Sequence, residues 1–160
     1  MFREGLRPPD PFREQPVLER AHSQDGMSLQ SLSELSPVLA VCLPALSSKA
    51  CGRMLTDLSS ARSAIETAGA RLALVHMGDD AEAAAAFAPH DLQYVARVSD
   101  PACELYRLFE LGEAAKRRWL VRRAEPQQLP GAVVLSDGEV RAAIRPEAFG
   151  EALDYVSLLS

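Results

Sequence analysis

The stretch "PALSSKACGRML" (residues 44–55) contains a serine and a cysteine whose spacing suits thiol chemistry. Ser48 is a residue type that begins helices, because its hydroxyl accepts a hydrogen bond from a backbone N–H in the first turn. A helix that begins there places Cys51 at its third position, near unpaired amides and the positive end of the helix dipole. With Lys49 and Arg53 two residues to either side, the pattern predicts a thiol pKa below the usual value of about 8.5.

A thiolate at this position could attack a peroxide oxygen or a disulfide sulfur. The alternative is that Cys51 is a small buried hydrophobic residue, since it shares one helical face with Met54, Leu55 and Leu58. Free cysteines are among the most buried residues in proteins. Both interpretations stay open on these residues alone.

The remaining cysteines and histidines give weaker signals. Cys42 lies inside the apolar run "PVLAVCL" (37–43), which favours a core role. His22, His76 and His90 are scattered, with no pair at metal-ligand spacing, so no metal site is predicted. His76 falls near the end of a predicted strand and is a minor functional candidate.

Composition limits the class of protein. The chain has 160 residues, 48% of them apolar, which suits one domain with a core. A net charge of −5 argues against nucleic acid as a partner. The local exception, "KRRWLVRR" (116–123), fits a solvated helical face, the alternative being a site for an anionic partner. No apolar run reaches the roughly 18 residues of a membrane span, and the first residues do not resemble an export signal.

Three widely spaced cysteines suit a reducing cytoplasm, where we expect the protein to reside. Residues 1–15 are rich in proline and charge and predict a flexible arm, with one domain over 16–160. In that domain strands are predicted at 17–22, 37–43, 71–77 and 92–100, and a short helical or bridging segment at 28–35. Helices are predicted at 49–69, 79–90 and from Pro101, followed by a hairpin turning at "SDG" (136–138) and a closing helix from Pro146. This alternation implies an α/β fold with a central mixed β-sheet and helices on both faces.

That order, with a thiol at the first strand-to-helix turn, resembles the thioredoxin-like fold of peroxiredoxins in the alkyl hydroperoxide reductase/thiol-specific antioxidant family. Pro44, Ser48 and Cys51 match its spacing Pro-x-x-x-Thr/Ser-x-x-Cys. "DGMSLQSLSEL", "VSDPACELYRLFELG" and "QLPGAVVLSDGEV" resemble its lead-in, helical and hairpin segments. The resemblance covers residues 16 to 158 and implies a peroxiredoxin-type N-terminal extension before the central strand.

The resemblance implies a thiol-dependent peroxidase that reduces hydrogen peroxide or organic hydroperoxides through Cys51, assisted by Ser48 and Pro44. It implies no cofactor and an external reductant, either a small thiol or a thioredoxin-like protein. Cys103 is a candidate resolving cysteine, offset from the position in relatives. A homodimer is a weak further implication.

Three departures from the family pattern count against direct transfer of this activity, and the first two favour an alternative, a thioredoxin-fold binding or redox-sensing module without peroxidase turnover. Ser48 stands where many relatives have the first cysteine of a pair, the usual arginine falls at about Leu129, and the aromatic residue ahead of the motif is absent. A monothiol oxidoreductase is a third hypothesis. The basic stretch 116–123 could replace the arginine, and Arg53 is expected to shape the site. Pro130 matches a site-facing proline, which predicts a cis Leu129–Pro130 bond.

Overall fold

The computed structural model describes residues 17–114 and 127–160, and its main element is a five-stranded mixed sheet. The strand order is β3-β2-β1-β6-β7, in which β1, β2 and β3 are parallel and β6 and β7 are antiparallel to their neighbours. These strands are β1 (Val38–Cys42), β2 (Arg71–His76), β3 (Ala96–Ser99), β6 (Gly131–Ser136) and β7 (Glu139–Ile144). A separate two-stranded sheet joins β4 (Glu113–Ala114) to β5 (Gln127–Gln128).

Helices cover both faces of the sheet, as the sequence predicts. They are α1 (Leu29–Leu35), α2 (Lys49–Thr67), α3 (Asp80–Phe87), α4 (Glu104–Leu108) and α5 (Tyr155–Leu158), with a 3-10 turn at Ala88–His90. One apolar cluster lies between the sheet and α2, α3 and α5, and includes Cys51, Leu58, Phe87 and Tyr155. A second cluster lies on the other face beneath α1 and α4, and includes Cys42, Leu29 and Tyr106. We call these the α2-side and α4-side clusters.

The hairpin between β6 and β7 confirms the predicted turn. Asp137 and Gly138 have φ values of 52° and 76°, the left-handed conformations that a two-residue type I′ turn needs. The backbone N–H groups of both residues donate to Ser33, to its carbonyl and its hydroxyl respectively. Helix α1 is thereby attached to the hairpin.

The outer edge of β3 carries a side chain in place of a neighbouring strand. The amide nitrogen of Gln24 donates to the Val95 carbonyl at 2.8 Å, and its oxygen accepts from the Arg97 N–H at 2.7 Å. Ser23 adds a single bridge to Val98. The Gln24 amide therefore satisfies the two backbone groups that an added strand would bind.

Two predicted elements at the chain's margins are wrong. Residues 17–20 form a helical turn in place of a strand, and its Leu18 contacts the α4-side cluster. The closing helix is confined to Tyr155–Leu158, since Gly150 has a φ of 87° and the Glu151 carboxylate accepts from the N–H groups of Glu147 and Ala148. That left-handed residue ends any helix begun at Pro146. The predicted arm at 1–15 and the basic stretch at 116–123 lie outside the described residues.

Candidate active site

The candidate site lies where the central strand β1 ends. All five residues of β1 are buried, as its apolar sequence predicts. The Leu43 N–H extends the pairing by donating to the Val75 carbonyl at 2.8 Å. Residues 43–48, which we call the Cys51 loop, then carry the chain to α2.

Ser48 caps helix α2 as predicted. Its backbone is extended, with φ −80° and ψ 154°, and its hydroxyl accepts from the Cys51 N–H at 3.1 Å. The same hydroxyl donates to the Ala45 carbonyl at 2.7 Å, and the Ser48 N–H donates to that carbonyl at 2.9 Å. Pro44 is buried at the start of the loop. Ser48 and Cys51 are thus joined in one short, hydrogen-bonded turn that follows the buried Pro44.

The environment of Cys51 differs from the expectation. Its side chain is fully buried in the α2-side cluster, and this burial raises the pKa of the thiol to about 11. The prediction of a lowered pKa is therefore wrong. Lys49 and Arg53 are exposed, and a separation of two residues places each about 200° around the helix from Cys51. Loss of hydration outweighs the helix dipole here.

No arginine stands at position 129, where the resemblance to peroxiredoxins places one. Leu129 stands there and is buried, with its N–H bonded to the Gly112 carbonyl at 3.0 Å. Pro130 is buried and precedes Gly131, which pairs with Cys42 at the end of β1. The Leu129–Pro130 bond is trans, so the predicted cis bond is wrong. The trans form is the intrinsically favoured one, and the chain runs in it from β5 directly into β6.

Arg53 occupies a different surface. It lines an open groove of about 510 Å³ on the outer side of α2, together with Lys49, Gly52, Thr56 and Asp57. This groove faces solvent, whereas Cys51 faces the core. Arg53 therefore does not line the surroundings of the Cys51 thiol in this conformation.

The other two cysteines lie on the opposite side of the sheet. Cys42 is fully buried in the α4-side cluster, and Cys103 packs against that cluster, half-buried at the start of α4. Burial raises the pKa of both thiols. Cys103 has a φ of 56°, a left-handed conformation that non-glycine residues rarely adopt. The structure does not bring Cys103 to Cys51, and all three cysteines are free.

Tyr106 is a site residue that the sequence reasoning missed. It is fully buried in α4, and its hydroxyl lies 2.5 Å from the Leu43 carbonyl and 3.3 Å from the Val75 carbonyl. Both carbonyls belong to the end of the sheet from which the Cys51 loop departs. Helical spacing predicts that Tyr106 is close to the apolar face of α4, but no sequence signal identifies the partner of its hydroxyl.

His76 ends β2 on the same face as Cys51. It is 1% exposed and stacks edge-on against Phe87, with ring centroids 6.1 Å apart. Among the described residues neither ring nitrogen has a hydrogen-bond partner, and burial lowers the pKa of the imidazole.

In the same part of the chain, no set of three His, Cys, Asp or Glu side chains could hold a metal ion. Within residues 17–114 and 127–160, no helix has the length and apolar character needed to cross a bilayer.

Comparison with known proteins assigns the fold. No family model and no curated protein sequence matches the chain. Solved structures do: Xanthomonas campestris peroxiredoxin Q has a TM-score of 0.68 at 18% identity, over 84% of this chain and 85% of that one. Reduced Prx3 of Vibrio vulnificus in complex with hydrogen peroxide has a TM-score of 0.66 at 13% identity, over 84% and 88%. Peroxiredoxin 6 of Arenicola marina has 0.67 at 13%, over 87% and 66%.

The chain therefore has a thioredoxin-like fold. Within that class, its mixed five-stranded sheet with flanking helices is that of the peroxiredoxin structures, as the sequence resemblance predicts. Structural matches at less than 20% sequence identity show the fold alone, so the chemistry is argued from the site.

Proposed function

We propose that this protein is a thiol-dependent peroxidase in which Cys51 reduces hydrogen peroxide or an organic hydroperoxide. The observation that carries the proposal is the first turn of α2, where the Ser48 hydroxyl accepts from the Cys51 N–H directly after the central strand. The fold in which this turn lies matches that of a peroxiredoxin structure, and Pro44 is buried beside the turn. The substrate is thus a hydroperoxide and the partner an external thiol.

The chemistry requires no bound cofactor. The Cys51 sulfur bonds to the terminal peroxide oxygen, the O–O bond breaks, and the departing oxygen takes a proton to become an alcohol or water. The sulfur is oxidised to a sulfenic acid. A small thiol or a thioredoxin-like protein then attacks that sulfur with release of water, and a second thiol displaces Cys51 from the mixed disulfide.

Burial limits the rate of this reaction. The Cys51 side chain has no exposed surface and burial raises the pKa of its thiol to about 11, so little of it is thiolate at pH 7 while the site is closed. Reaction therefore depends on opening of the Cys51 loop, which hydrates the thiol and admits the peroxide. We expect a slower peroxidase than one with a permanently open site.

A second candidate is a redox-sensing or binding module without peroxidase turnover. Leu129, buried at the position of the family arginine, favours it, because an apolar side chain there cannot stabilise a thiolate or polarise a peroxide. A sensor needs only one slow oxidation of Cys51, whereas a peroxidase must repeat the cycle.

The test is stopped-flow reaction of the reduced protein with hydrogen peroxide, followed by dimedone trapping and mass spectrometry. Cys51→Ser is the inactive control, and Cys103→Ser is the matched control that leaves the loop intact. Sulfenic acid at Cys51, with repeated turnover when an external thiol is added, supports the peroxidase. One oxidation of Cys51 without turnover supports the sensor, and no sulfenic acid at position 51 above the level of the Cys51→Ser control contradicts both.

A further inference from the structure

The structure raises the question of what keeps Cys51 closed. The thiol lies one turn into α2, at the carboxyl edge of the sheet, yet its side chain has no exposed surface. The Cys51 loop leaves the sheet at this edge, and its Leu43 and Leu46 pack within and against the same apolar cluster as Cys51. Exposure of Cys51 therefore depends on how firmly this loop is held.

Three attachments hold the loop. At its end, the Ser48 hydroxyl bonds the Ala45 carbonyl and the Cys51 N–H. In the middle, Leu46 lies over Gly78, where an added Cβ would come within 2.8 Å of the leucine Cδ1. At its start, the Leu43 N–H donates to Val75 and the Leu43 carbonyl accepts from Tyr106. Of these partners, only Tyr106 belongs to a helix on the opposite face of the sheet.

Both the Tyr106 side chain and the helix that carries it are held in place. The ring is fully buried in the α4-side cluster. The hydroxyl lies 2.5 Å from the carbonyl of Leu43, the residue after β1, and 3.3 Å from that of Val75 near the end of β2. Helix α4 is itself anchored, because the Asp100 carboxylate accepts from the N–H groups of Glu104 at 3.0 Å and Leu105 at 2.9 Å. A buried carbonyl that loses its donor is costly to leave unpaired, so removing this hydroxyl favours conformations in which Leu43 turns to water.

From this arrangement we propose that Tyr106 is a positioning residue that keeps the Cys51 loop closed over Cys51. The phenol acts from the far face of the sheet, through the Leu43 carbonyl and the buried Pro44. The inference deepens the proposed function by naming what limits access to the thiol. Its test measures exposure of Cys51 and does not depend on reaction with peroxide, so the two can fail separately.

The experiment compares Tyr106→Phe with Tyr155→Phe. Tyr155 is also a buried phenol, in the cluster that contains Cys51, but its hydroxyl has no hydrogen-bond partner among the described residues. Alkylation of each cysteine by iodoacetamide is followed by mass spectrometry at pH 8. We expect Tyr106→Phe to speed alkylation of Cys51 at least tenfold while Cys42, buried in the opposite cluster, stays protected.

Cys42 separates opening of the loop from general loosening. If Cys42 and Cys51 gain reactivity together, if neither changes, or if Tyr155→Phe has the same effect, the proposal is overturned. A second variant carries 3-fluorotyrosine at position 106, a stronger donor of nearly equal volume. Slower alkylation of Cys51 in that protein is expected, and an equal or faster rate contradicts the role of Tyr106.

Discussion

Cys51 and Cys103 lie against opposite faces of the five-stranded sheet. Cys51 belongs to the α2-side cluster, and Cys103 packs against the α4-side cluster that contains Cys42. A disulfide requires Cα atoms within about 7 Å of each other and side chains that point together. An intramolecular bond between these two cysteines would therefore require α4 or the Cys51 loop to leave its place.

The first prediction concerns the oxidised protein. After treatment with hydrogen peroxide, we expect no peptide that links Cys51 to Cys103, because the sheet separates them. Peptide mapping under non-reducing conditions checks this. Cys103→Ser should leave the yield of dimedone-labelled Cys51 unchanged. A linked peptide in more than trace amount in the wild-type protein would show that Cys103 resolves Cys51 after all.

The second prediction concerns the pH dependence of Cys51 alkylation. Because burial raises the pKa of Cys51 to about 11, the rate should rise about tenfold per pH unit up to pH 9.5 without a plateau. An unstructured peptide containing Cys51 and its neighbours should level off near its free pKa of about 8.5. A plateau in the protein below pH 8.5 would mean that the thiol is hydrated in solution.

The same shift affects stability. The folded-state pKa of Cys51 lies above its unfolded value, so the folded state holds the proton more tightly. The contribution is fully present below about pH 8.5 and declines as the pH rises toward 11.

The third prediction concerns His76 and mild acid. Burial lowers the pKa of its imidazole, so the unfolded chain binds this proton more readily than the folded one. The free energy of unfolding should therefore decrease as the pH falls below about 6.5, the pKa of an unperturbed histidine, and be unaffected by His76 above it. Denaturant titrations between pH 5 and 8 measure this.

His76→Leu, of similar volume and unable to bind a proton, should remove that part of the pH dependence. His22→Gln, at an exposed histidine, is the matched control for the loss of a histidine. If His76→Leu has the wild-type slope, another group is responsible.

The fourth prediction concerns the β3 edge. Gln24→Ala removes the amide that pairs with both the Val95 carbonyl and the Arg97 N–H, and should lower the free energy of unfolding by about 1–3 kcal/mol. Gln127→Ala is the matched control, because Gln127 is exposed. Urea denaturation measures both. Equal losses in the two variants would mean that water replaces Gln24 at the edge.

Some features of the fold follow from local rules. The apolar run of β1, the three- and four-residue apolar spacing of α2 and the turn at Asp137–Gly138 predict those elements close to their observed bounds. The apolar pattern after Pro146 predicts too long a closing helix, because it does not reveal that Gly150 adopts a left-handed conformation. The first predicted strand failed for a related reason, since five or six residues can satisfy either periodicity.

The local geometry of the candidate site follows from a few neighbouring residues. Ser48 at the helix start and Cys51 three residues later suffice for the observed hydrogen bond, because capping involves only residues within one turn. Tertiary structure alone decided the state of the thiol. Burial of Cys51, its separation from Cys103 and the Tyr106 bond to Leu43 all arise from segments distant in sequence. The desolvation of the Cys51 sulfur depends on every atom packed around it, so no local sequence pattern predicts its size.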